Sequence, residues 1–594
     1  MRLVVDIETN GIDFSQPNFT DQVTDVWCIV AQDIDTGTLY YETVQDGTNF
    51  KVLLEILQEA DEIIGHNILQ FDIPVLNRLY NFKPKGIVSD TLVMSRLFYP
   101  DRPGGHSLAS WGERLGYSKA EFDGFDRYSE SMLQYCRRDV EVNARLWGRL
   151  EQERKGTDWT TALQLEHRIA EIMIAQENRG CYFNTNKAEE LIHEWTERIT
   201  NIDSTLLDHD AVRIGPGPCV SKPYKINGEP TEISKRHSER NGIDHSIILG
   251  PYCVVHYNTV DLNSKQQQKQ YLLELGWKPE QLTPTGQPKI DDSIVSLGEP
   301  GELLQERNVL SHRLSQVTGL VNKVDQYNRV HGGANPCGTP TGRMRHRVIV
   351  NIPSLDAPYG KQVRSLFCAP PGKVFVGYDA SSLELRILAH YLGSEHYNDK
   401  VTTTDKQNDA HTLAGRAGYD VVHREYDQDT RRLGKTINYA VIYGAGDQKL
   451  GSIIGSTKKD GKRLRDRLYN EVPGLGDLIN RIQRASKRGY LIGLDGRKLY
   501  LRSDHKALNT LLQGGGAVFM KMVTSALDDL AADIPDAYKV IDMHDEAQWE
   551  MPPLSVPEFE TAVHSAFAHA GEVLELKCPQ EAEVKTGQTW ADTH

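Results

Sequence analysis

Residues 431–444 read RRLGKTINYAVIYG, and the fold prediction starts from this stretch. No proline interrupts it and a glycine follows its last tyrosine, which predicts a helix of about three turns with a glycine cap. Side chains at every fourth position form one stripe about 18 Å long, composed of Arg431, Lys435, Tyr439 and Tyr443. A guanidinium, an ammonium and two aromatic rings suit a triphosphate at one end and a base or sugar at the other. The alternative is a solvated basic face whose tyrosines cover a neighbouring element.

The length and composition indicate a large globular protein. With 594 residues the chain is too long for a single core, so about three or four compact units are expected. Hydrophobic residues make up 39% and charged residues 25%, values typical of globular domains. No apolar run is long enough to cross a bilayer, and Asp6 interrupts the apolar residues that open the chain. We therefore expect neither a membrane span nor a signal peptide, and a cytoplasmic location.

The eight cysteines are scattered without any C-x-x-C spacing. This pattern argues against a zinc ribbon and against a disulfide framework. Reduced thiols that are mostly buried are expected.

The charge is unevenly distributed along the chain. The formal net charge is −15, but residues 431–467 contain ten lysines and arginines against three acids. Binding of a polyanion depends on where the positive charge lies and not on the net charge. The bias fits a basic groove on an acidic body, and it also fits a solvated charged face.

Acidic residues in the first 140 positions occur in three settings. LVVDIE at 3–8 predicts a buried strand on which Asp6 and Glu8 share a face. Asp72 ends HNILQFD, and Asp139 ends YCRRD, where a helix would place Tyr135 one turn before it. Taken singly, each acid fits a helix cap or surface position as well as a ligand.

In this order DIETNG, NxxxFD and YxxxD resemble the three motifs of the proofreading 3′–5′ exonuclease superfamily. The resemblance implies a mixed β-sheet flanked by helices that ends near Arg154. It also implies two divalent metals, Mg²⁺ or Mn²⁺, that activate a water and steady the leaving 3′ oxygen, while Tyr135 orients the water. The implied metal ligands are Asp6, Glu8, Asp72 and Asp139.

The middle of the chain has helical apolar spacing over about 160–184, 188–206, 264–273 and 303–327. Between these segments, residues 207–258 include GPGPC and KINGEP and lack periodicity. They predict a loop-rich insertion between helices.

The last third contains two further acidic motifs. KVFVGYD at 373–379 predicts a strand that ends in Asp379, and ASSLELR then turns into a helix. YKVIDMHDEAQWE at 538–550 resembles a known hairpin motif with HDE, and so Asp545, at its bend. Ahead of both stands TGR at 341–343.

Together, RRxxKxxxYxxxYG, DxSxxELR and HDE resemble family A (polymerase I type) DNA polymerases, most closely the replicative polymerases of short-tailed bacteriophages. The implied fold class is α/β multidomain, with a ribonuclease H-like exonuclease domain followed by a right-hand polymerase domain. No 5′ nuclease domain is expected ahead of it. The implied boundaries are exonuclease 1–155, thumb 156–335, palm 336–404, fingers 405–500 and palm 501–594.

The resemblance assigns roles to individual side chains. Asp379 and Asp545, with the Ala380 carbonyl, would hold two Mg²⁺ ions for attack of the primer 3′ hydroxyl on the α-phosphate. Glu384 would pack at the ribose 2′ position and bond Tyr443. The implied nucleotide contacts are His411, Arg431, Lys435, Tyr439, Tyr443 and Glu384, and the implied primer-template contacts are Arg343, Asn509, Gln513, His544 and Glu546.

Two positions depart from the family pattern. The family often has arginine at the position of His505 and usually alanine at that of Gly434, where glycine costs a helix about 1 kcal/mol.

The function implied is template-directed DNA synthesis with proofreading. Primer-template DNA and dNTPs are the implied partners, and a replicative helicase-primase is a further candidate. The thumb insertion would recruit a processivity factor such as host thioredoxin or act as a DNA-contacting loop. The alternatives are a stand-alone 3′–5′ exonuclease with an inactive polymerase-like domain and a non-catalytic DNA-binding clamp.

Overall fold

The computed structural model describes residues 1–14, 16, 18–207, 212–283 and 285–594. They form two compact units, one of Met1–Asn184 with Lys323–His594 and one of Thr185–Asn322. None of the helices in these described ranges has both the length and the apolar character needed to cross a membrane.

The strands are β1 (Arg2–Thr9), β2 (Val26–Asp33), β3 (Leu39–Thr43), β4 (Glu62–Gly65), β5 (Ile87–Asp90), β6 (Cys181–Tyr182), β7 (Val212–Val220), β8 (Tyr252–Thr259), β9 (Arg329–Val330), β10 (Ala334–Asn335), β11 (Arg345–His346), β12 (Val374–Ala380), β13 (Tyr490–Ile492), β14 (Lys498–Tyr500), β15 (Tyr538–Met543), β16 (Glu546–Met551) and β17 (Ala582–Gly587).

The helices are α1 (Lys51–Gln58), α2 (Asp72–Tyr80), α3 (Thr91–Phe98), α4 (Leu108–Arg114), α5 (Glu130–Arg154), α6 (Thr160–Arg179), α7 (Thr185–Leu207), α8 (Glu232–Asn241), α9 (Lys265–Glu274), α10 (Glu299–Val321), α11 (Gly360–Arg364), α12 (Leu383–Leu392), α13 (Glu395–Thr402), α14 (Ala410–Val421), α15 (Thr430–Ile442), α16 (Asp447–Ile453), α17 (Lys458–Glu471), α18 (Leu475–Ser486), α19 (Ala507–Ala531) and α20 (Val556–Val573).

The amino-terminal sheet has the strand order β3-β2-β1-β4-β5. β1 pairs antiparallel with β2 and parallel with β4, so the sheet is mixed, as the sequence predicts. Val4 packs with α5 on one face, whereas Val5 and Ile7 join the core on the other face. This alternation places Asp6 and Glu8 on the α5 side, and α5 ends at Arg154.

The carboxyl-terminal sheet is antiparallel, with the order β15-β16-β12-β17. β12 lies at its centre and is almost entirely buried because α6, α19 and α20 share one core with it. The strand predicted over 373–379 is present, but the following helix begins only at Leu383, after Ser382 at φ +52°. The hairpin predicted over 538–550 is formed by β15 and β16.

The helix predicted over 431–444 is α15, and its end is a Schellman motif. Gly444 has φ +74°, its N–H donates to the Val441 carbonyl at 3.0 Å, and the Ala445 N–H donates to the Ala440 carbonyl at 2.8 Å. This pair of bonds satisfies carbonyls that the helix end would otherwise leave open. The glycine cap predicted from the sequence is confirmed.

Gly434 matters more for packing than for helix propensity, because α14 and α15 approach each other through glycines. A Cβ at Gly434 would lie 1.7 Å from the His411 carbonyl oxygen, and a Cβ at Gly415 would lie 1.8 Å from the Thr430 carbonyl oxygen. Both positions face backbone, which cannot move aside as a side chain can. The helix cost of glycine here is offset by close packing.

We predict that Gly434→Ala destabilises the protein by about 1–3 kcal/mol, since overpacking outweighs the gain of about 1 kcal/mol in helix propensity. Gly148→Ala in α5 is the matched control, because a Cβ there has nothing within 4 Å. Calorimetry should show a lower melting temperature for the first variant and an equal or higher one for the second. An unchanged melting temperature in Gly434→Ala would show that the two helices separate at no cost.

In the unit of Thr185–Asn322, α7 and α10 pack against each other around a buried arginine. Arg307 is ion-paired with Asp203, donates to the Leu262 carbonyl at 2.8 Å and donates to the Asn263 side chain at 3.0 Å. This unit contains fewer residues than the predicted thumb of 156–335. The helix α6 belongs to the other unit, where it packs on α19.

The prediction of a loop-rich insertion over 207–258 is wrong for most of its length. β7 and β8 pair antiparallel, and α8 lies between them, capped by the Thr231 side chain and by Gly242 at φ +64°. A polar helix and a two-stranded ribbon bury little apolar surface, so they leave no periodicity in the sequence. Residues 208–211 lie outside the described residues.

The expectation of reduced cysteines is also wrong at one pair. Cys219 and Cys253 form a disulfide across 34 residues. They lie opposite each other in the register of β7 and β8, a proximity that the C-x-x-C criterion does not test. No other disulfide forms among the described residues, and of the remaining cysteines all but Cys368 are buried.

Candidate active sites

Asp379 and Asp545 lie side by side, although 165 residues separate them in the chain. Asp379 is near the end of β12, opposite Glu546 of β16, and Asp545 is in the turn between β15 and β16. The Ala380 N–H donates to the Asp545 carbonyl oxygen at 3.0 Å, which fixes the turn against β12. We call Asp379 and Asp545 the acid pair.

The acid pair carries more negative charge than the protein around it neutralises. Burial, the neighbouring Asp545 and then Glu546 raise the pKa of Asp379 to about 7. Burial and Glu384 raise the pKa of Asp545, and Arg343 opposes the rise. Two crowded carboxylates of this kind suit a hard divalent cation, so the residues fit the metal site that the sequence predicts.

The α15 stripe faces this acid pair. Burial, then Glu384 and Asp545, raise the pKa of Tyr439 to about 12, so its hydroxyl remains a donor beside the carboxylates. The Tyr439 and Tyr443 rings stack with centroids 6.3 Å apart. Lys435 is exposed and makes no ion pair among the described residues.

At the other end of the stripe, Asp409 and His411 at the start of α14 hold side chains of α15 in position. Asp409 accepts from Arg431 Nε at 2.7 Å, and it also caps α14 through the Thr412 N–H at 2.7 Å. His411 is buried 6.3 Å from the Tyr439 ring and contacts the Asn438 amide at 3.2 Å. His411 therefore lies along the stripe.

Glu384 and Arg343 form an ion pair. Arg343 Nη2 donates to Glu384 Oε1 at 2.9 Å, and both side chains are largely buried. The bond from Tyr443 to Glu384 that the sequence predicts is not formed among the described residues; Tyr443 is exposed instead. Arg343, predicted to meet the primer-template, is engaged by the protein.

Glu546 differs most from its predicted role as a primer-template contact. Its buried carboxylate accepts from the Trp590 indole, from Gln548 at 2.9 Å and from Arg364 at 3.3 Å, and it is paired with His594 at 2.9 Å. These partners leave it little capacity for DNA. His544, the residue before Asp545, is exposed at φ +65°.

Asn509 and Gln513 lie one turn apart near the start of α19. The Asn509 Oδ1 atom is buried and has no hydrogen-bond partner among the described atoms. A buried amide oxygen without a partner is costly, so a ligand contact would stabilise it.

The amino-terminal acids also converge. Asp6, Glu8 and the Cys136 thiol each place one ligand atom within 4.8 Å of the others. Asp72 begins α2, and the Ile7 backbone N–H lies near enough to its carboxylate to oppose the effect of burial on its pKa. Burial raises the pKa of Asp72 to about 7 and that of Glu8 to about 9.

Two residues of this cluster, Cys136 and Lys119, are not among the site residues that the sequence predicts. The Cys136 thiol donates to the Asp6 backbone carbonyl at 3.4 Å. Because burial raises the pKa of this thiol, Cys136 is a neutral donor that orients Asp6. Lys119 is ion-paired with Asp139, whose Oδ1 atom is buried without a hydrogen-bond partner among the described atoms. That orphaned oxygen, with the acids beside it, fits a divalent cation.

Comparison with known proteins gives the family. The model of DNA polymerase family A matches residues 250–592, more than half of the chain. The chain belongs to DNA polymerase family A. It is 28% identical to the DNA-directed DNA polymerases of Enterobacteria phage T3 and of Escherichia phage T7, with 100% of this chain and of each relative covered.

Solved structures agree on the fold. This family A polymerase matches the POL domain of Pol1 from M. smegmatis, in complex with DNA primer-template and dNTP, with a TM-score of 0.76 at 19% identity. The match covers 100% of this chain and 95% of that one. The predicted family is therefore confirmed, and with it a DNA-directed DNA polymerase of mixed α/β fold similar to phage enzymes.

A buried charge network below the acid pair of this polymerase was also missed. Glu166 accepts from Lys521 at 2.6 Å and is paired with Arg497 at 2.6 Å, and none of the three is more than 3% exposed. Although burial opposes it, Lys521 and Arg497 lower the pKa of Glu166 to about 2. Lys521 also donates to the Gly342 carbonyl at 2.8 Å, next to Arg343.

We predict that Lys521→Met lowers the stability of the polymerase by about 3–5 kcal/mol, because it leaves an excess buried carboxylate. Adding Glu166→Gln should recover part of the loss, since Arg497 keeps Asp495 as its partner at 2.6 Å. Lys585→Met is the control, as it breaks only an exposed pair with Glu583 worth less than about 1 kcal/mol. Urea unfolding measures all three, and equal losses for Lys521→Met and Lys585→Met would contradict the network.

Proposed function

We propose that this family A polymerase copies a DNA template with proofreading, by two separate carboxylate sites. The observation that carries the synthetic site is the position of the acid pair directly before the α15 stripe. When bound there, divalent cations supply Lewis-acid activation of the primer 3′ hydroxyl and neutralise the triphosphate. Asp379, Asp545 and the Ala380 carbonyl would hold them, and Mg²⁺ is the ion that these oxygen ligands suit.

The stripe supplies the nucleotide contacts in this proposal. Lys435, exposed and without an ion pair among the described residues, is available for phosphate, and Arg431 with His411 extends the phosphate contacts. Tyr439 lies nearest the sugar, and Glu384 sets the preference for deoxynucleotides.

DNA contacts are proposed for the residues around the acid pair. Arg343, His544, Asn509 and Gln513 would meet primer and template, with the orphaned Asn509 oxygen as support. We assign Glu546 a structural role, in which it holds Arg364, Trp590 and His594 in place, and not a contact with DNA. Primer-template DNA and dNTPs are the proposed partners. A processivity factor at the insertion and a helicase-primase remain predictions from the sequence.

The proofreading site is the acidic cluster on the amino-terminal sheet. Asp6, Glu8, Asp72 and Asp139 would hold the divalent cations that activate a water and stabilise the leaving 3′ oxygen. Tyr135, one turn before Asp139 on α5, would orient that water.

We predict that Asp6→Ala with Glu8→Ala abolishes degradation of a 3′ mismatch and spares synthesis, because synthesis uses a separate acid pair. Asp545→Asn should do the reverse and slow synthesis roughly a thousandfold, which corresponds to about 4 kcal/mol. Primer extension with and without dNTPs measures both activities. Loss of both in either variant would point to misfolding, and mismatch degradation that survives the double substitution would refute the exonuclease.

We also predict that Tyr439→Phe makes the enzyme discriminate against dideoxynucleotides. The Tyr439 hydroxyl can replace the missing 3′ hydroxyl as donor to a phosphate oxygen, a bond worth about 1.5–3 kcal/mol. The expected change in selectivity is roughly ten- to a hundredfold. Competition of ddNTP against dNTP, with Asp6→Ala and Glu8→Ala present, measures it. Tyr443→Phe is the control, since its ring lies one turn further along, and equal effects of both would misplace the sugar.

A further inference from the structure

A lysine lies inside the proposed exonuclease site. Lys119 is ion-paired with Asp139, and its ammonium lies 4.8 Å from the centroid of the Tyr135 ring. It therefore touches one proposed metal ligand and the side chain proposed to orient the water.

Lys119 is held there by a segment fixed at several points. The segment 115–129 joins α4 to α5 without regular secondary structure. Arg138 donates to the Ser118 carbonyl at 2.9 Å, and the Trp27 indole donates to the Phe125 carbonyl at 2.9 Å. Phe122 packs on the Tyr135 ring at 5.4 Å. These contacts direct the lysine toward the acids.

The charges around Lys119 explain why its ammonium stays beside these carboxylates. Burial raises the pKa of Asp6, Glu8 and Asp139, and Lys119 opposes that rise at each of them. The nearby arginines are engaged elsewhere: Arg137 lies over the Tyr41 ring at 4.2 Å, and Arg138 over the Tyr117 ring at 3.2 Å. An ammonium and a divalent cation on the same carboxylates repel each other.

We propose that the Lys119 ammonium competes with a divalent cation for the carboxylates of Asp6, Glu8 and Asp139, and so sets the metal concentration at which 3′–5′ degradation begins. The proposal rests on the proposed exonuclease function of this cluster. Displacement of the lysine from Asp139 frees a second carboxylate oxygen beside the orphaned Oδ1 atom. It requires movement of a side chain that is 27% exposed, and no change in the sheet.

The test is Mn²⁺ titration of the full chain, read from the electron paramagnetic resonance signal of free Mn²⁺. Asp379→Asn and Asp545→Asn are present throughout to remove the acid pair. We expect Lys119→Met to bind Mn²⁺ at least tenfold more tightly than its parent, and Lys119→Arg to bind as the parent does. Lys51→Met, an exposed lysine of α1, is the matched control and should leave the affinity unchanged. Unchanged or weaker binding in Lys119→Met would overturn the proposal.

Thermal melting separates competition from a structural role. In EDTA the Lys119→Met variant should melt below its parent, because the acids lose their counter-ion, and Mn²⁺ should remove the difference. A deficit of equal size with and without Mn²⁺ would overturn the proposal. Lys119→Gln, which keeps a polar group, provides the same comparison if the methionine variant does not fold.

Nuclease assays with the acid pair intact complete the test. In Lys119→Met the Mg²⁺ concentration for half-maximal degradation of single-stranded DNA should fall at least tenfold, with the maximal rate retained. A lower maximal rate at an unchanged Mg²⁺ requirement would assign Lys119 to the chemical step and overturn the proposal. Failure of the exonuclease assignment is distinguishable, because degradation would then persist in Asp6→Ala with Glu8→Ala while the Mn²⁺ titration could still show competition.

Discussion

The hydrogen bond from the Ala380 N–H to the Asp545 carbonyl holds two carboxylates together, and the carboxyl-terminal sheet is built around that contact. Two charges 4 Å apart at an effective dielectric constant of 20 repel by about 4 kcal/mol, so the acids would separate if the backbone allowed it. It does not, because β12 is paired on both edges, with β16 and with β17. The charge of the third nearby carboxylate, Glu546, is partly offset by its partners Arg364, Trp590 and His594. What remains is a fixed concentration of negative charge that a bound cation relieves.

The α15 stripe depends on a second constraint, the contact of α14 and α15 through Gly415 and Gly434. The absence of a Cβ at both positions lets the helices approach until a carbonyl of each lies against the other. That approach places His411, at the start of α14, within 6.3 Å of the Tyr439 ring. The glycine that looks unfavourable as a helix residue therefore determines the spacing between two proposed nucleotide contacts. Helix propensity disfavours glycine at position 434, but the close packing of α14 and α15 requires it, and the packing requirement is the stronger one.

The sequence predicts what short-range patterns encode. The stripe and its glycine cap follow from periodicity and turn residues within about 15 positions, whereas the mixed amino-terminal sheet and the β15–β16 hairpin follow from the family resemblance. Contacts between distant residues leave no such pattern. Lys119 meets Asp139, Lys521 meets Glu166, and Cys219 meets Cys253 only because the fold brings their segments together. For the same reason, Glu384 was assigned to Tyr443, whereas Arg343 is its partner in the structure.

Crowded carboxylates need positive charge nearby, and the two carboxylate clusters differ in whether a side chain of the protein supplies it. In the amino-terminal cluster a lysine of the protein lies on Asp139, whereas beside the acid pair the nearest guanidinium, Arg343, is bound to Glu384. Arg343 and Glu384 neutralise each other, so Asp379 and Asp545 make no ion pair with a side chain among the described residues. Burial, and then this uncompensated charge, raise the pKa of Asp379 to about 7. An incoming cation must therefore displace a lysine at one cluster and nothing comparable at the other. In the functions proposed for the two clusters, this difference would let synthesis proceed at a metal concentration at which degradation is still restrained. It arises from where each basic side chain finds its partner.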